Sequence, residues 1–229
     1  GQAQAAFLQA FTSGRLHHAW MLTGPKGVGK ATLAWRLSRF LLATPDDDGG
    51  MFAAPPPETL DIPPENPVSR RMLQLAEPRH FLLRRGPNDK ETALSQVITV
   101  DEVRKMKSFF ALSAADGGRR TAIIDAVDEM NPNAANALLK LLEEPPENVT
   151  LFLIAHQPAR LLPTIRSRCR ELRLSPLGPQ DLADALTQAG GDIDPKDRTA
   201  LAELSGGSVG EALRLTNLDG LKYYTALTR

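Results

Sequence analysis

A glycine-rich turn, set between an apolar run and a helical repeat, constrains the fold of this chain more than any other feature. An apolar run over residues 19–23 precedes the turn, and apolar side chains recur at helical spacing over residues 30 to about 42. The turn itself has the sequence Gly24-Pro25-Lys26-Gly27-Val28-Gly29-Lys30. A strand, a glycine-rich loop and a helix in this order are typical of a phosphate-binding loop, or P-loop. In such a loop the backbone N–H groups cradle phosphate oxygens and the lysine reaches the β- and γ-phosphates. We therefore predict that Gly24, Gly27, Gly29 and Lys30 form a nucleotide-phosphate cradle.

Further apolar runs alternate with helical repeats along the first three quarters of the chain. Continuous apolar strands of this kind favour a parallel sheet that is covered on both faces by helices. The predicted strands cover residues 19–23, 81–83, 121–125, 150–155 and 171–174, and the predicted helices begin near residues 30, 101 and 132. The predicted fold class is α/β, with a P-loop parallel sheet.

The strand signal ends near Ser175, and three short helical repeats follow. We therefore expect a P-loop domain over residues 1–175 and a small all-helical lid domain over residues 176–229. Between about residues 44 and 68, aspartate, glycine and proline crowd together with few apolar anchors. This composition predicts a long surface loop inserted in the first domain.

Composition excludes several classes of protein. The chain has 229 residues and one cysteine, Cys169, so it has neither an internal disulfide nor a multi-cysteine zinc site. A lone cysteine fits a reducing compartment, and we expect a cytoplasmic protein. Lys plus Arg and Asp plus Glu both number 27, so nucleic acid would have to contact a local basic patch. No apolar run approaches the roughly 18 residues that span a membrane, and the histidines lack metal-ligand spacing, so we expect no membrane or metal partner.

Two groups that an ATPase site needs are missing from the predicted positions. The residue after the P-loop lysine normally supplies a hydroxyl to magnesium, but here it is Ala31. Thr32 is one residue further along, which turns its side chain by about 100° around the helix. The strand over residues 121–125 ends in Asp125, a candidate for the metal site, but Ala126 follows where a water-activating Glu is expected. Phosphate could still bind at a degenerate site formed by the cradle, Thr32 and Asp125, whereas hydrolysis lacks its chemistry.

Three further segments resemble bacterial DNA polymerase III clamp-loader subunits, which are AAA+ proteins. They are His18-Ala19-Trp20, Leu138-Leu139-Lys140-Leu141-Leu142-Glu143-Glu144-Pro145-Pro146 and Thr164-Ile165-Arg166-Ser167-Arg168-Cys169. The resemblance covers nearly the whole chain and is stronger to the delta-prime subunits than to the gamma/tau motor subunits. It implies a role in loading the sliding clamp onto primed DNA.

The positions at which this chain differs from the motor subunits are positions that bind or hydrolyse nucleotide in those subunits. Besides Ala31 and Ala126, Gly210 stands where the motors carry a nucleotide-sensing arginine, and the polar sensor after the third strand falls near Ala155 or His156. The resemblance implies a subunit that does not hydrolyse ATP and requires no cofactor, with ATP or ADP binding left open. It also implies that Arg168 acts in trans, as an arginine finger on ATP bound by a neighbouring subunit, with Arg166 as the nearest competing candidate.

The resemblance implies partners as well. These are the gamma/tau and delta subunits of the clamp loader, primed DNA in the assembled complex, and weak or indirect contact with the sliding clamp. The family's zinc module is not expected here, because its cysteines are absent, and its C-terminal collar domain is expected to lie outside this chain. The basic residues nearest the DNA-facing helices of the family are Lys105, Lys107, Arg119, Arg120 and Lys140.

Two alternatives remain open on the residues alone. One is a catalytically active gamma/tau-like ATPase of the same fold. The other is a P-loop small-molecule kinase, which would need a magnesium-ligating hydroxyl and a substrate pocket that the sequence does not indicate.

Overall fold

The fold is built on a five-stranded sheet with the order β2-β3-β4-β1-β5. The computed structural model describes residues 1–45, 55–87, 93–112, 118–190 and 194–217. The strands are β1 (Ala19–Thr23), β2 (His80–Arg84), β3 (Arg120–Asp125), β4 (Val149–Ala155) and β5 (Arg170–Arg173). The helices are α1 (Gln2–Thr12), α2 (Lys30–Ala43), α3 (Pro67–Leu73), α4 (Val100–Leu112), α5 (Pro132–Glu143), α6 (Pro163–Arg166), α7 (Pro179–Gln188), α8 (Arg198–Leu204) and α9 (Val209–Asn217).

The parallel pairing of β1, β3 and β4 brings their carboxyl ends to one edge of the sheet. β4 lies in the centre, pairs with β1 on one side and β3 on the other, and is buried along its whole length. Thr23 at the end of β1 is aligned with Ala155 at the end of β4, and Asp125 at the end of β3 is aligned with Ile154. The predicted α/β class with a parallel sheet is therefore confirmed.

Alternate side chains of β1 enter different parts of the core, as the two-residue period of a strand requires. Ala19 and Met21 belong to the cluster that α4 and α5 cover. The ring of Trp20 instead meets that of Phe7 on α1, edge-on and 5.0 Å away. The helix α1, which the sequence reasoning did not predict, thus packs against the sheet through an aromatic contact.

Contacts divide the chain into two compact units. The first contains Gly1–Thr23 and Ala31–Leu172, and the second contains Gly24–Lys30 and Arg173–Arg229. Within the second unit, α7, α8 and α9 enclose a small core of Leu182, Leu186, Leu201, Ala202 and Ala212. The predicted boundary near residue 176 differs from this division in two respects: the first unit ends at Leu172, and the P-loop residues Gly24–Lys30 group with the helical unit. The helix expected over residues 221–227 lies outside the described residues.

The proline-rich insertion is anchored at its carboxyl end by α3. Residues 46–54 of the insertion lie outside the described residues, and residues 55–66 form neither helix nor strand. The side-chain oxygen of Asn66 then accepts a hydrogen bond from the Val68 backbone N–H, and Pro67 occupies the first helical turn. Val68 and Met72 pack against Leu42 of α2. The predicted loop therefore overlaps the helix by two residues, because a capped helix begins at Pro67.

A buried carboxylate joins α3 to β2. Glu77 Oε2 accepts a hydrogen bond from Arg71 Nε at 2.8 Å, and its Oε1 accepts one from Arg79 Nε at 2.9 Å. The Glu77 side chain is only 1% exposed. Burial alone raises the pKa of this carboxyl, but the hydrogen bonds and charges of the two arginines outweigh burial and hold the pKa below its ordinary 4.5. The ionised carboxylate therefore stabilises the fold.

Replacing Glu77 by glutamine should lower the free energy of unfolding by about 2 kcal/mol at pH 7, because two arginines lose their buried charged partner. The folded pKa is lowered, so this contribution is present above the unfolded pKa and is lost as the pH falls through the folded pKa. Urea unfolding at pH 7 and over an acid series that is continued until the difference between the two proteins stops changing measures both effects. Glu65→Gln, at an exposed position, is the matched control. A difference between wild type and Glu77→Gln that persisted in acid would contradict this account.

Candidate functional site

The P-loop of this chain is folded around its own lysine. The Lys30 side chain is almost fully buried, and its ammonium donates hydrogen bonds to the carbonyl oxygens of Gly24 at 2.7 Å and Pro25 at 2.6 Å. Gly24, Gly27 and Gly29 have φ values of 137°, 82° and 90°. Such left-handed backbone is accessible to glycine at little steric cost, which explains the three glycines. The structure therefore brings together the four residues predicted for the cradle.

The loop fits a phosphate anion better than it fits a metal-bound nucleotide. A Cβ added to Gly29 would meet no atom within 4 Å. Backbone N–H groups at a helix start, here that of α2, and the Lys30 ammonium are the groups that would hold phosphate. Ala31 offers no oxygen to magnesium, and Thr32 is exposed on α2. The residues present thus fit phosphate binding but not metal placement at position 31, and a contribution of Thr32 stays a prediction.

The start of α9, in the same compact unit, packs directly on the P-loop. The Gly210 N–H donates a hydrogen bond to the Gly27 carbonyl at 3.3 Å. Ser208 Oγ occupies the space beside Gly27, where an added Cβ would lie 2.1 Å from it. The same hydroxyl accepts a hydrogen bond from the Glu211 N–H and so caps α9. Gly210, which the sequence predicts to stand where the motor subunits carry a sensing arginine, therefore makes a backbone contact with the P-loop.

The acidic residues at and after the end of β3 lie in the first unit, and they make structural contacts. Asp125 ends β3, and the Ala126 side chain behind it is buried. Asp128 accepts hydrogen bonds from the backbone N–H groups of His156, at 3.1 Å, and Gln157, at 2.8 Å. Glu129 pairs with Arg85 at 3.0 Å. Asp128 thus joins the turn after β3 to the end of β4, and Glu129 joins the same turn to Arg85, the residue after β2.

Arg168 lies on the turn between α6 and β5. One terminal nitrogen of its guanidinium donates to the Thr164 carbonyl at 2.9 Å, and the other lies 2.9 Å from Glu143 Oε1. The side chain is 35% exposed, and that of Glu143 is 50% exposed. Arg166, the competing candidate, is exposed on α6. Arg168 is therefore both accessible and oriented, which the sequence alone did not indicate.

Cys169 and the histidines have structural surroundings. Cys169 packs against the main core, and burial raises the pKa of its thiol to about 12. Burial also lowers the pKa of His80 to about 4, and its Nδ1 lies 2.9 Å from Thr121 Oγ1. Within the described residues, no group of three or more His, Cys, Asp or Glu side chains is placed to hold a metal ion. No helix in the same part of the chain is long and apolar enough to cross a membrane.

The five basic residues considered for DNA contact divide into different environments. Arg120 is buried, and its guanidinium donates to the carbonyls of Phe110 at 2.6 Å and Glu147 at 2.8 Å. Burial makes Arg120 a poor candidate for DNA contact, because these donors serve the protein's own backbone. Arg119 donates to the Thr44 carbonyl and lies over the Phe11 ring. Lys105 is exposed and pairs with Glu102 at 2.6 Å.

The two remaining lysines, Lys107 and Lys140, line one groove between α4 and α5. This groove has a volume of about 390 Å³. Its lining residues are Val100, Arg104, Lys107, Asn133, Asn136, Ala137 and Lys140. Three cationic side chains beside two amides form a surface suited to phosphate oxygens. Sequence reasoning missed Arg104, although its position one turn before Lys107 on the same helix was a usable signal.

The parallel sheet, the P-loop after β1 and the helical second unit define a P-loop α/β protein of the AAA+ type. A crystal structure of a DNA polymerase III gamma subunit-related protein from Thermotoga maritima shares the fold, with a TM-score of 0.54 and 20% identity over 94% of this chain and 60% of that chain. The family described as "DNA polymerase III, delta subunit" matches residues 1–178, and this chain belongs to that family.

Curated relatives agree with this assignment. DNA polymerase III subunit delta' of Pseudomonas aeruginosa is 36% identical over 198 residues, which cover 86% of this chain and 55% of that protein. DNA polymerase III subunit tau of Escherichia coli is 28% identical over 216 residues, which cover 93% of this chain and 30% of that protein. The predicted resemblance to delta-prime subunits is confirmed. The chain spans about half the length of its delta' relative.

Gly27→Ala should destabilise the second unit more than Gly29→Ala does. Both residues have positive φ, so each alanine carries backbone strain of about 1–2 kcal/mol. Only Gly27 faces Ser208 Oγ, and that clash should cost about 1–3 kcal/mol more. Urea unfolding measures the difference, and hydrogen exchange at the Gly210 amide should accelerate in Gly27→Ala alone. Equal losses in the two variants would show that Ser208 does not occupy this space.

Proposed function

We propose that this chain is part of a delta-prime-type subunit of the DNA polymerase III clamp loader, which helps to load the sliding clamp onto primed DNA without hydrolysing ATP itself. The observation that carries the proposal is the end of β3. Ala126 presents a buried methyl group after Asp125, and the next two carboxylates serve backbone N–H groups and Arg85. A carboxylate engaged in this way is not available to activate water.

The chain lacks two of the groups that ATP hydrolysis requires, so its own ATP turnover is negligible. Loss of a positioned general base lowers a rate by about 10²–10⁴-fold. Ala31 removes the hydroxyl that fixes magnesium, which is the group that neutralises developing charge on the phosphates. Bound nucleotide would therefore meet Lys30 and backbone N–H groups, which bind phosphate but do not cleave it.

The protein still contributes to catalysis through Arg168, which acts on ATP held by a neighbouring subunit. Its guanidinium is permanently charged and planar, and it is accessible at 35% exposure. An arginine supplied in trans stabilises the charge of a phosphoryl-transfer transition state and is worth about 10³–10⁵-fold in rate. In this role the subunit is a stator: it completes an active site without having one.

The partners follow from this role. The neighbours are the gamma/tau and delta subunits of the loader, contact with the sliding clamp is weak or indirect, and the assembly works on primed DNA in the cytoplasm. Arg104, Lys107 and Lys140 line one groove, and their charges support contact with the DNA backbone in this proposal. Such contacts neutralise phosphates and carry no sequence preference.

Arg168→Ala should leave the fold intact and remove about 10³-fold of the turnover at the neighbouring ATP site. The measurement is single-turnover ATP hydrolysis by the complex assembled with the loader subunits of the same organism, in which the affected site appears as a slow phase. Arg166→Ala is the matched control and should keep the wild-type rate. The chain alone should release no phosphate with magnesium and ATP. An unchanged rate in Arg168→Ala would overturn the finger assignment, and magnesium-dependent turnover by the chain alone would identify a gamma/tau-like motor instead.

Lys107→Ala and Lys140→Ala should each weaken primed-DNA binding by the assembled complex. Each variant removes one phosphate contact, so the slope of log affinity against log salt should fall by about 1. Fluorescence anisotropy over a salt series measures this slope. Lys105→Ala removes an equal charge on the same helix but outside the groove and should leave the slope unchanged. Equal effects of all three substitutions would indicate net charge alone and exclude the groove.

A further inference from the structure

Arg168 is fixed by two anchors on two different elements. Its guanidinium bridges the end of α5, through Glu143 Oε1 at 2.9 Å, and the first turn of α6, through the Thr164 carbonyl at 2.9 Å. A lysine or arginine side chain at a protein surface otherwise samples many rotamers, which must be lost before it can make a defined contact. The position of this guanidinium is therefore set before any partner arrives.

Both anchors are attached to rigid parts of the molecule. Glu143 is the last residue of α5, whose Leu138, Leu141 and Leu142 are buried in the main core. Thr164 precedes Ile165, which is 1% exposed. The Arg168 backbone N–H also bonds to the Ile165 carbonyl at 3.2 Å. Core packing thus fixes the backbone that carries Glu143 and Thr164, and their two acceptors favour one orientation of a side chain that is itself partly exposed.

The charges around Glu143 allow it to orient the Arg168 guanidinium without preventing that guanidinium from binding a phosphate. A carboxylate at a helix C-terminus faces the negative end of the helix dipole, so it gains from a nearby cation. A half-exposed ion pair is weak and is exchanged readily. A phosphate group carries more charge than a carboxylate and accepts paired hydrogen bonds from a guanidinium. It therefore competes successfully with Glu143 for the solvent-facing N–H groups of Arg168.

We propose that Glu143 is a positioning residue for Arg168: it orients the guanidinium toward the neighbouring subunit's ATP, and it touches no substrate itself. This inference rests on the proposed in-trans role of Arg168. It assigns a function to Glu143, the first glutamate of the Glu143-Glu144-Pro145-Pro146 segment. The residues missing from the nucleotide site, at positions 31 and 126, do not account for this segment. Glu144, the next residue, is exposed at the helix C-cap and lies outside the ion pair. It offers a matched control with the same charge.

The kinetic test uses the complex assembled with the loader subunits of the same organism. Glu143→Gln should lower the single-turnover rate at the affected site by about fivefold, the size of a half-exposed ion pair, while the KM for ATP stays unchanged. Glu144→Gln should keep the wild-type rate. In the Arg168→Ala background, Glu143→Gln should have no further effect, because both act through one guanidinium.

A second measurement does not depend on activity. In the protein without nucleotide, the Arg168 Nε–H order parameter by NMR should fall in Glu143→Gln and stay unchanged in Glu144→Gln. An order parameter that is equal in wild type and Glu143→Gln overturns the proposal, as does a further rate loss from Glu143→Gln in the Arg168→Ala background. If Arg168→Ala slows the site but Glu143→Gln does not, the positioning role fails alone. If Arg168→Ala is itself without effect, the proposed finger fails, and the positioning role fails with it.

Discussion

The register of three parallel strands determines the level at which β1, β3 and β4 end. β4 is buried along its whole length between β1 and β3, and Thr23, Asp125 and Ala155 end their strands within one residue of the same level. A shift of one residue would exchange the side chains on the two faces of a strand, so Trp20 would leave Phe7 for the space of Ala19 and Met21. Packing therefore fixes the level at which the acidic turn begins, independently of any nucleotide.

Sequence patterns predicted the elements whose residues are continuously apolar or repeat every three to four positions. They did not predict α1, whose glutamines and alanines give little contrast between its faces, although Phe7 is fully buried against Trp20. They also missed α3, because the surrounding prolines indicate a loop. The Asn66 cap and the proline at the first turn are local signals that could have identified it.

The candidate site was predictable only where a motif fixes backbone geometry. The glycines and Lys30 follow from the loop they must form, whereas the partners of charged side chains depend on residues far apart in the chain. The ion pair of Arg168 with Glu143 joins two segments separated by β4. Arg120 is a second case: the sequence named it only as a basic residue near the DNA-facing helices of the family, whereas its guanidinium is buried and donates to the carbonyls of Phe110 and Glu147.

The atoms that stabilise the fold of this P-loop are not the atoms that ATP hydrolysis requires. The loop can therefore keep its fold when the hydrolytic groups are absent. The Lys30 ammonium satisfies two loop carbonyls, and the Gly27 carbonyl accepts the Gly210 N–H, so these groups stabilise the loop without any ligand. A hydroxyl at position 31 and a carboxylate at position 126 would serve only metal and water. Methyl groups at these two positions leave every one of these hydrogen bonds in place, so the loop can serve as a structural element whether or not it binds a nucleotide.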